Sequence, residues 1–152
     1  SIRNTASPPA SCLRRPPAFL EQDRDAGYYL QENGDDPMKK VALFVFNGDP
    51  MCFIHVLLNA LQMFEKGYEV KIVIEGAATK LIPELEKKGN PLHQLWKQAR
   101  PKGLVEGICK ACANIMETIR EAKAQGLPLL EDMLGHPGMA RYMDAGFEIV
   151  TF

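Results

Sequence analysis

Six consecutive apolar residues at positions 41–46 constrain the fold of this chain more than any other feature. An apolar run of strand length is typical of a strand inside a parallel sheet that helices cover on both faces. The turn that follows ends in Asp49 and Pro50, which suit the cap and the first position of a helix. Residues 51–66 are therefore predicted to form a helix that ends before Gly67.

The alternation of strand and helix continues to the end of the chain. Further strands are predicted at residues 69–74, 104–109, 127–130 and 147–151, with helices at 77–87, 91–99, 111–125 and 137–145. Repeated strand–helix units imply right-handed crossovers. The expected architecture is a three-layer α/β/α sandwich around a mainly parallel five-stranded sheet, whose strand order the sequence does not give.

Residues 1–37 differ from the rest of the chain. They contain Pro8-Pro9, Pro16-Pro17 and Pro37 among polar and charged residues, with no sustained hydrophobic period. This composition predicts a poorly ordered N-terminal extension. Residues 38–152 are predicted to form one α/β domain.

The charge balance and the hydropathy exclude some classes of partner. Lys and Arg total 18 and Asp and Glu total 19, a formal net charge of −1, which argues against an electrostatic nucleic-acid binder. No apolar stretch is long enough for a membrane span, and the first 30 residues lack the pattern of a secretory signal. We therefore expect a cytoplasmic protein with reduced thiols.

Several familiar catalytic motifs are absent from the sequence. The turn after the first strand lacks the glycine spacing and the Lys-Ser/Thr end of a phosphate-binding loop. Neither a Gly-x-Ser-x-Gly nor a His-Glu-x-x-His motif occurs. Nucleotide, serine-hydrolase and zinc-protease interpretations therefore have no support.

The pair Cys109 and Cys112 is the most informative motif. It lies where the third predicted strand ends and a helix begins, and ligands of open α/β sheets gather at such carboxyl ends. The helix N-terminus and Lys110 are expected to favour the thiolate, which is the nucleophilic form of cysteine. A thioredoxin-type disulfide is an alternative, although Trp-Cys-Gly-Pro surroundings are missing.

No metal site is predicted, because a zinc site normally needs four ligands and the sequence has no second Cys-x-x-Cys motif besides Cys109 and Cys112. The remaining cysteine and histidine candidates are Cys52, His55, His93 and His136. Cys52 is expected to be a core or interface thiol and His55 a buried histidine. His93 and Trp96 are expected to pack or to face solvent.

Three further residues are candidates for a pocket at the cysteine loop. His136, between Gly135 and Pro137, could orient or protonate a ligand, although stabilising a turn is the simpler role. Asn47 and Asp49 are expected to serve the first turn and its helix cap, and could also border the pocket. Lys110 completes this predicted set.

The segment Gly107-Ile108-Cys109-Lys110-Ala111-Cys112-Ala113-Asn114-Ile115-Met116 resembles the cysteine segment of the DsrE/DsrF-like family. That segment follows the third strand and has an Ala-Cys pair with a Met a few residues later. The Gly135-His136-Pro137 stretch and the order of elements over residues 38–152 agree with the resemblance.

The resemblance implies a YchN-like fold, assembly as a homotrimer or homohexamer, and sulfur relay without a cofactor. Cys112 corresponds best to the family's Ala-Cys position and would carry sulfane sulfur as a persulfide between sulfur donor and acceptor proteins. Cys109 would be an additional thiol that resolves the persulfide, or the carrier itself. A sulfurtransferase-like carrier is the leading hypothesis. A non-catalytic oligomeric binding module and a thiol-redox or metal-binding protein remain alternatives.

Overall fold

The structure, a computed structural model, describes residues 38–152, so the extension predicted at residues 1–37 lies outside the described residues. The strands are β1 (Lys40–Val45), β2 (Glu69–Ile74), β3 (Val105–Cys109), β4 (Leu129–Leu130) and β5 (Glu148–Thr151). The α-helices are α1 (Pro50–Glu65), α2 (Ile82–Leu85), α3 (His93–Ala99), α4 (Lys110–Ile115), α5 (Ile119–Ala124) and α6 (Ala140–Asp144), and Gly76–Leu81 is a 3-10 helix.

The five strands form one sheet in the order β4-β3-β2-β1-β5, and every neighbouring pair is parallel. β1 pairs with β2 over its whole length, from Lys40 opposite Glu69 to Val45 opposite Ile74. The expected α/β sandwich is confirmed, and its sheet is parallel throughout. All carboxyl ends of the strands therefore lie along one edge of the sheet.

Alternate residues of β1 enter two separate apolar cores, because successive side chains of a strand point to opposite faces. Val41, Leu43 and Val45 belong to the larger core, which includes Phe53 of α1 and Trp96 of α3. Each large side chain buried there contributes about 1.5–3 kcal/mol.

The other face of the sheet carries a smaller core. Phe44 packs edge-on against Tyr142 of α6, with ring centroids 5.4 Å apart, and Tyr142 contacts Phe147 in the same way. The two cores together explain why residues 41–46 had to be apolar at nearly every position.

The helix predicted at residues 111–125 is interrupted. α4 ends at Ile115, and the amide of Thr118 donates to the carbonyl of Ala113 at 2.8 Å. Glu117 takes a left-handed φ of 58°, as in a Schellman-type helix end. A new helix, α5, begins at Ile119, and Ile115 at the end of α4 is 74% exposed.

The helix predicted at residues 77–87 is also shorter than expected. Residues 76–81 form the 3-10 helix and only Ile82–Leu85 is α-helical. Pro83 lies in the first turn of α2, and without an N–H it cannot continue a regular helix from the preceding turn.

α1 buries one side and exposes the other. Phe53, Val56 and Leu57 are buried, whereas Met51 and Leu58 are exposed. His55 lies on this outer face and is exposed, so the expectation of a buried histidine is wrong. The reason is its spacing: positions 51, 55 and 58 recur every three to four residues and share one helix face.

Within residues 38–152, no helix combines the length and the apolarity that crossing a membrane requires.

The Gly107→Ala variant should lose about 1–3 kcal/mol of unfolding free energy. A Cβ at this position of β3 would lie 2.6 Å from the Pro128 carbonyl oxygen and 2.8 Å from Leu130 Cγ, so the two strands must separate. Urea unfolding measures the change. Gly89→Ala is the matched control, because a Cβ there meets nothing within 4 Å. Equal stability of the two variants would contradict this packing.

Candidate functional site

Four side chains that can bind a proton or a metal converge at the carboxyl edge of the sheet. Glu75 directly follows β2, Cys109 ends β3, and Cys112 lies in the first turn of α4. His136 comes from the loop between β4 and α6. One carboxylate oxygen, both sulfurs and one ring nitrogen all lie within 4.8 Å of one another.

His136 is the centre of the contacts in this group. Its Nδ1 lies 3.2 Å from the Cys109 sulfur and 3.8 Å from the Cys112 sulfur. The Cys112 amide also donates to the Cys109 sulfur at 3.3 Å, which makes Cys109 the N-cap of α4. An Nδ1 without a proton can accept one from either thiol, so the arrangement suits proton transfer between thiol and imidazole.

Backbone contacts hold the histidine loop against the cysteine turn. The Ala111 amide donates to the Gly135 carbonyl at 2.9 Å, and Met133 and His136 exchange two amide–carbonyl bonds. Gly135 has a φ of +92°, and a Cβ there would lie 3.2 Å from the Ala111 Cβ. Both the backbone angle and the close approach call for glycine.

Burial gives Cys109 the properties of a protonated thiol. Its pKa is raised to about 12, first by burial and then by the hydrogen bond with the Cys112 side chain, while the Cys112 amide acts in the opposite direction. The expected stabilisation of the thiolate at the helix N-terminus is therefore wrong for Cys109. The reason is that desolvation of the charged form outweighs the single amide donor.

Glu75 is a buried carboxyl group beside these thiols. Its residue is only 6% exposed, and burial raises its pKa to about 7. Within residues 38–152, no ion pair is found for its side chain. Its backbone amide donates to the Val45 carbonyl, and its carbonyl accepts from the Ala78 amide. A cation or a retained proton is the usual means of relieving such a group.

Lys110 does not face the thiols. Its ammonium group forms an ion pair with Glu131, and both side chains are about half exposed. An exposed pair of this kind contributes little to stability. The cation that the sequence placed beside the cysteines is thus directed to a carboxylate at the surface.

Asn47 and Asp49 organise the turn after β1. Asp49 accepts the Met51 amide at 2.8 Å as the N-cap of α1, and the Asn47 side-chain oxygen accepts the Asp49 amide at 2.9 Å. The Asn47 side-chain amide donates to the Cys52 sulfur at 3.3 Å. These contacts are the turn and cap roles expected for both residues, and Cys52 is half-buried at the same edge.

His93 is packed away from the cluster. It is buried, and its Nδ1 lies 2.8 Å from the Leu85 carbonyl oxygen, with Trp96 fully buried one turn later. Both residues stabilise the larger core.

Glu75 is the member of the cluster that sequence reasoning missed. Its signal was its position directly after a predicted strand and before Gly76, since the carboxyl ends of parallel strands meet at one edge. The sequence identified Cys109, Cys112 and His136 as candidates, and the structure brings these three together.

The two thiols should differ in their reaction with iodoacetamide. Cys112 is half-buried, whereas Cys109 is buried with a raised pKa, so Cys109 should alkylate at least about tenfold more slowly in the folded protein. Trypsin cleaves after Lys110 and separates the thiols into residues 103–110 and 111–120, which mass spectrometry quantifies. The difference should vanish in denaturant, and equal rates in the folded state would contradict the burial of Cys109.

Searches of family models and of solved structures return no match for this chain. Two archaeal proteins are similar in sequence. The uncharacterized protein MJ0733 of Methanocaldococcus jannaschii is 34% identical over 97 residues, covering 64% of this chain and 77% of the relative. An uncharacterized protein of Archaeoglobus fulgidus is 42% identical over 59 residues, covering 39% of this chain and 95% of the relative. The chain therefore belongs to the family of MJ0733.

Proposed function

We propose that this protein carries sulfane sulfur as a persulfide on Cys112, as a sulfurtransferase-like carrier. The observation that supports the proposal is the pairing of a half-buried thiol with a buried one beside the same imidazole nitrogen. A carrier needs an accessible nucleophilic sulfur and a nearby group that takes its proton. The site offers both at the open edge of the sheet.

The resemblance of residues 107–116 to the DsrE/DsrF-like cysteine segment supports the same function. In that family the thiol follows the third strand, which is where Cys109 and Cys112 lie here. The proposal includes membership of a YchN-like fold group. It also includes sulfur donor and acceptor proteins as partners, and a cytoplasmic location.

Loading begins with loss of the Cys112 proton, and His136 Nδ1 is the base within reach, 3.8 Å from the sulfur. The thiolate attacks the outer sulfur of a donor persulfide. The new bond joins Cys112 Sγ to that sulfur, and the donor's own sulfur–sulfur bond breaks. The donor leaves as a thiolate and takes up a proton, so no external oxidant or reductant is used.

Unloading has two routes. An acceptor thiolate attacks the outer sulfur and releases Cys112 as a thiolate, which repeats the loading chemistry in reverse. Alternatively, Cys109 attacks Cys112 Sγ, which releases hydrosulfide and leaves a Cys109–Cys112 disulfide that a dithiol must reduce. The raised pKa of Cys109 favours the first route, since little Cys109 thiolate is present near neutral pH.

The surrounding polar residues have supporting roles in this proposal. His136 serves as the proton acceptor. Lys110 and Glu131 lie outside the thiol pair, where they offer exposed charges to a docking protein. Asn47 and Asp49 shape the turn at the neighbouring strand end.

Exposure of the reduced protein to an inorganic polysulfide should add about 32 Da to a single thiol, the mass of one sulfur. The Cys112→Ser variant should lose the adduct, since it removes the accessible nucleophile. Intact-mass and peptide mass spectrometry locate the added sulfur. A Cys12→Ser background removes the cysteine outside the described residues.

Cys52→Ser is the matched control for this experiment, because Cys52 is also half-buried at the same edge. It should load like the unmodified protein. Loading that survives Cys112→Ser but fails in Cys109→Ser would make Cys109 the carrier. Absence of any adduct on the folded chain would rule out sulfur carriage.

We further propose that the chain assembles as a homotrimer or homohexamer through the outer face of α1. Met51 is 71% exposed and Leu58 45%, and these two positions share one face of α1 because they are about two turns apart. Apolar side chains grouped on one helix face favour contact with another copy.

Leu58→Asp should dissociate the assembly to smaller species, because it places a charge in an apolar contact. Size-exclusion chromatography with light scattering measures the mass. Met143→Asp is the control, since Met143 is also an exposed apolar residue, at 63%, but lies on α6. An unchanged mass for Leu58→Asp would exclude this face as the interface.

A further inference from the structure

We propose that Glu75, Cys109, Cys112 and His136 form a mononuclear site for zinc. The inference goes beyond sulfur carriage and does not depend on it. It arises from four donor groups that three different strand ends bring to one point.

The spacing of the donor atoms fits a tetrahedral zinc ion. Zinc lies about 2.3 Å from thiolate sulfur and about 2.0–2.1 Å from imidazole nitrogen. At tetrahedral angles, these bond lengths place a sulfur and a nitrogen about 3.6 Å apart. The two sulfur–nitrogen distances to His136 Nδ1 are 3.2 and 3.8 Å, on either side of that value.

The kinds of donor favour zinc over harder cations. Two thiols and an imidazole are soft or borderline ligands, which calcium and magnesium avoid. A carboxylate completes the usual count of four. The Cys-x-x-C spacing lets both sulfurs reach one ion from a single turn.

Glu75 is the independent observation that points to a ligand. Its residue is 94% buried, from the 6% exposed fraction, and within residues 38–152 its carboxylate has no ion-pair partner. An oxygen of that carboxylate lies within 4.8 Å of both sulfurs and of the ring nitrogen. A carboxyl group on a buried residue, without an ion-pair partner and beside three metal-binding atoms, is what a cation site requires.

The site is also held in place by its surroundings. The Cys112 amide donates to the Cys109 sulfur, an interaction that stabilises a metal-bound thiolate. The bond from the Ala111 amide to the Gly135 carbonyl fixes the histidine loop against the cysteine turn. Zinc uptake therefore needs small side-chain shifts and the release of the thiol protons to solvent.

The test uses the full chain, reduced and freed of metal with a chelator. One equivalent of Zn²⁺ per chain should be taken from a chromophoric chelator of known affinity. Co²⁺ should then give the visible bands of a tetrahedral ion together with thiolate charge-transfer bands. The Co²⁺ spectrum of the unmodified chain reports the ligands directly, so the test does not depend on variants that fold.

The variants assign the ligands. Glu75→Gln, His136→Asn and Cys112→Ser should each weaken Zn²⁺ binding by more than about 100-fold, since loss of a direct ligand exceeds the effect of an outer partner. Cys52→Ser and His55→Asn should bind like the unmodified chain, because both residues lie outside the cluster. Unchanged binding in Glu75→Gln and His136→Asn, or an octahedral Co²⁺ spectrum without thiolate bands, would overturn the proposal.

Zinc binding and sulfur loading fail separately in these measurements. Sulfur loading is measured on chelator-treated protein, and zinc binding without any sulfur donor. A chain that loads sulfur but shows no tetrahedral Co²⁺ spectrum retains the carrier function and loses the metal site. The reverse result retains the metal site alone.

Discussion

The site depends on the parallel direction of the strands in the sheet. β1, β2, β3 and β4 all run in one direction, so the residues that follow them leave the sheet at one edge. Glu75 and Cys109 come from adjacent strands because β2 pairs directly with β3. His136 reaches them because β4 is the neighbour of β3 on its other side. Reversal of any one of these strands would move its residue to the opposite edge.

Burial at that edge sets the chemistry of the cluster. Apolar packing beneath the strand ends removes water from Glu75 and Cys109, which raises the pKa of both groups. Burial therefore favours the protonated form of both groups, and a cation would compensate their charge on ionisation. Proton retention leaves Cys112 as the accessible sulfur, whereas a divalent cation engages all four residues.

Much of the fold could be predicted from the sequence because its signals are local. Each of these signals involves only a few neighbouring residues: the apolar run at residues 41–46, the Asp49-Pro50 helix cap, and the glycines that follow helix ends. The break between α4 and α5 could not be predicted from the sequence, because it depends on the left-handed conformation of Glu117 and on the burial of Thr118. Neither leaves a glycine or proline signal.

The candidate site was predictable only in part, for the same reason. The Cys-x-x-C spacing is local, but the approach of His136 depends on the β3–β4 pairing and on a loop fixed by Gly135. Glu75 required knowledge that β2 lies beside β3, which strand order alone provides. A charged residue after a strand usually faces solvent, so its burial could not be inferred from its type.

The proposed sulfur carriage and the proposed zinc site would both use the sulfur of Cys112. A thiolate bound to zinc is a weaker nucleophile, and in a persulfide on Cys112 the Sγ is no longer a thiolate that can bind the ion. The two states therefore exclude each other at one residue, without any change of fold. Cys109 and Glu75 would matter differently in each state. Beside a carrier thiol, Cys109 would be a protonated neighbour and Glu75 a carboxyl group with a raised pKa, whereas both would be anionic ligands of a metal ion. On these two proposals, a metal ion at the buried edge would determine whether Cys112 is available to a sulfur donor.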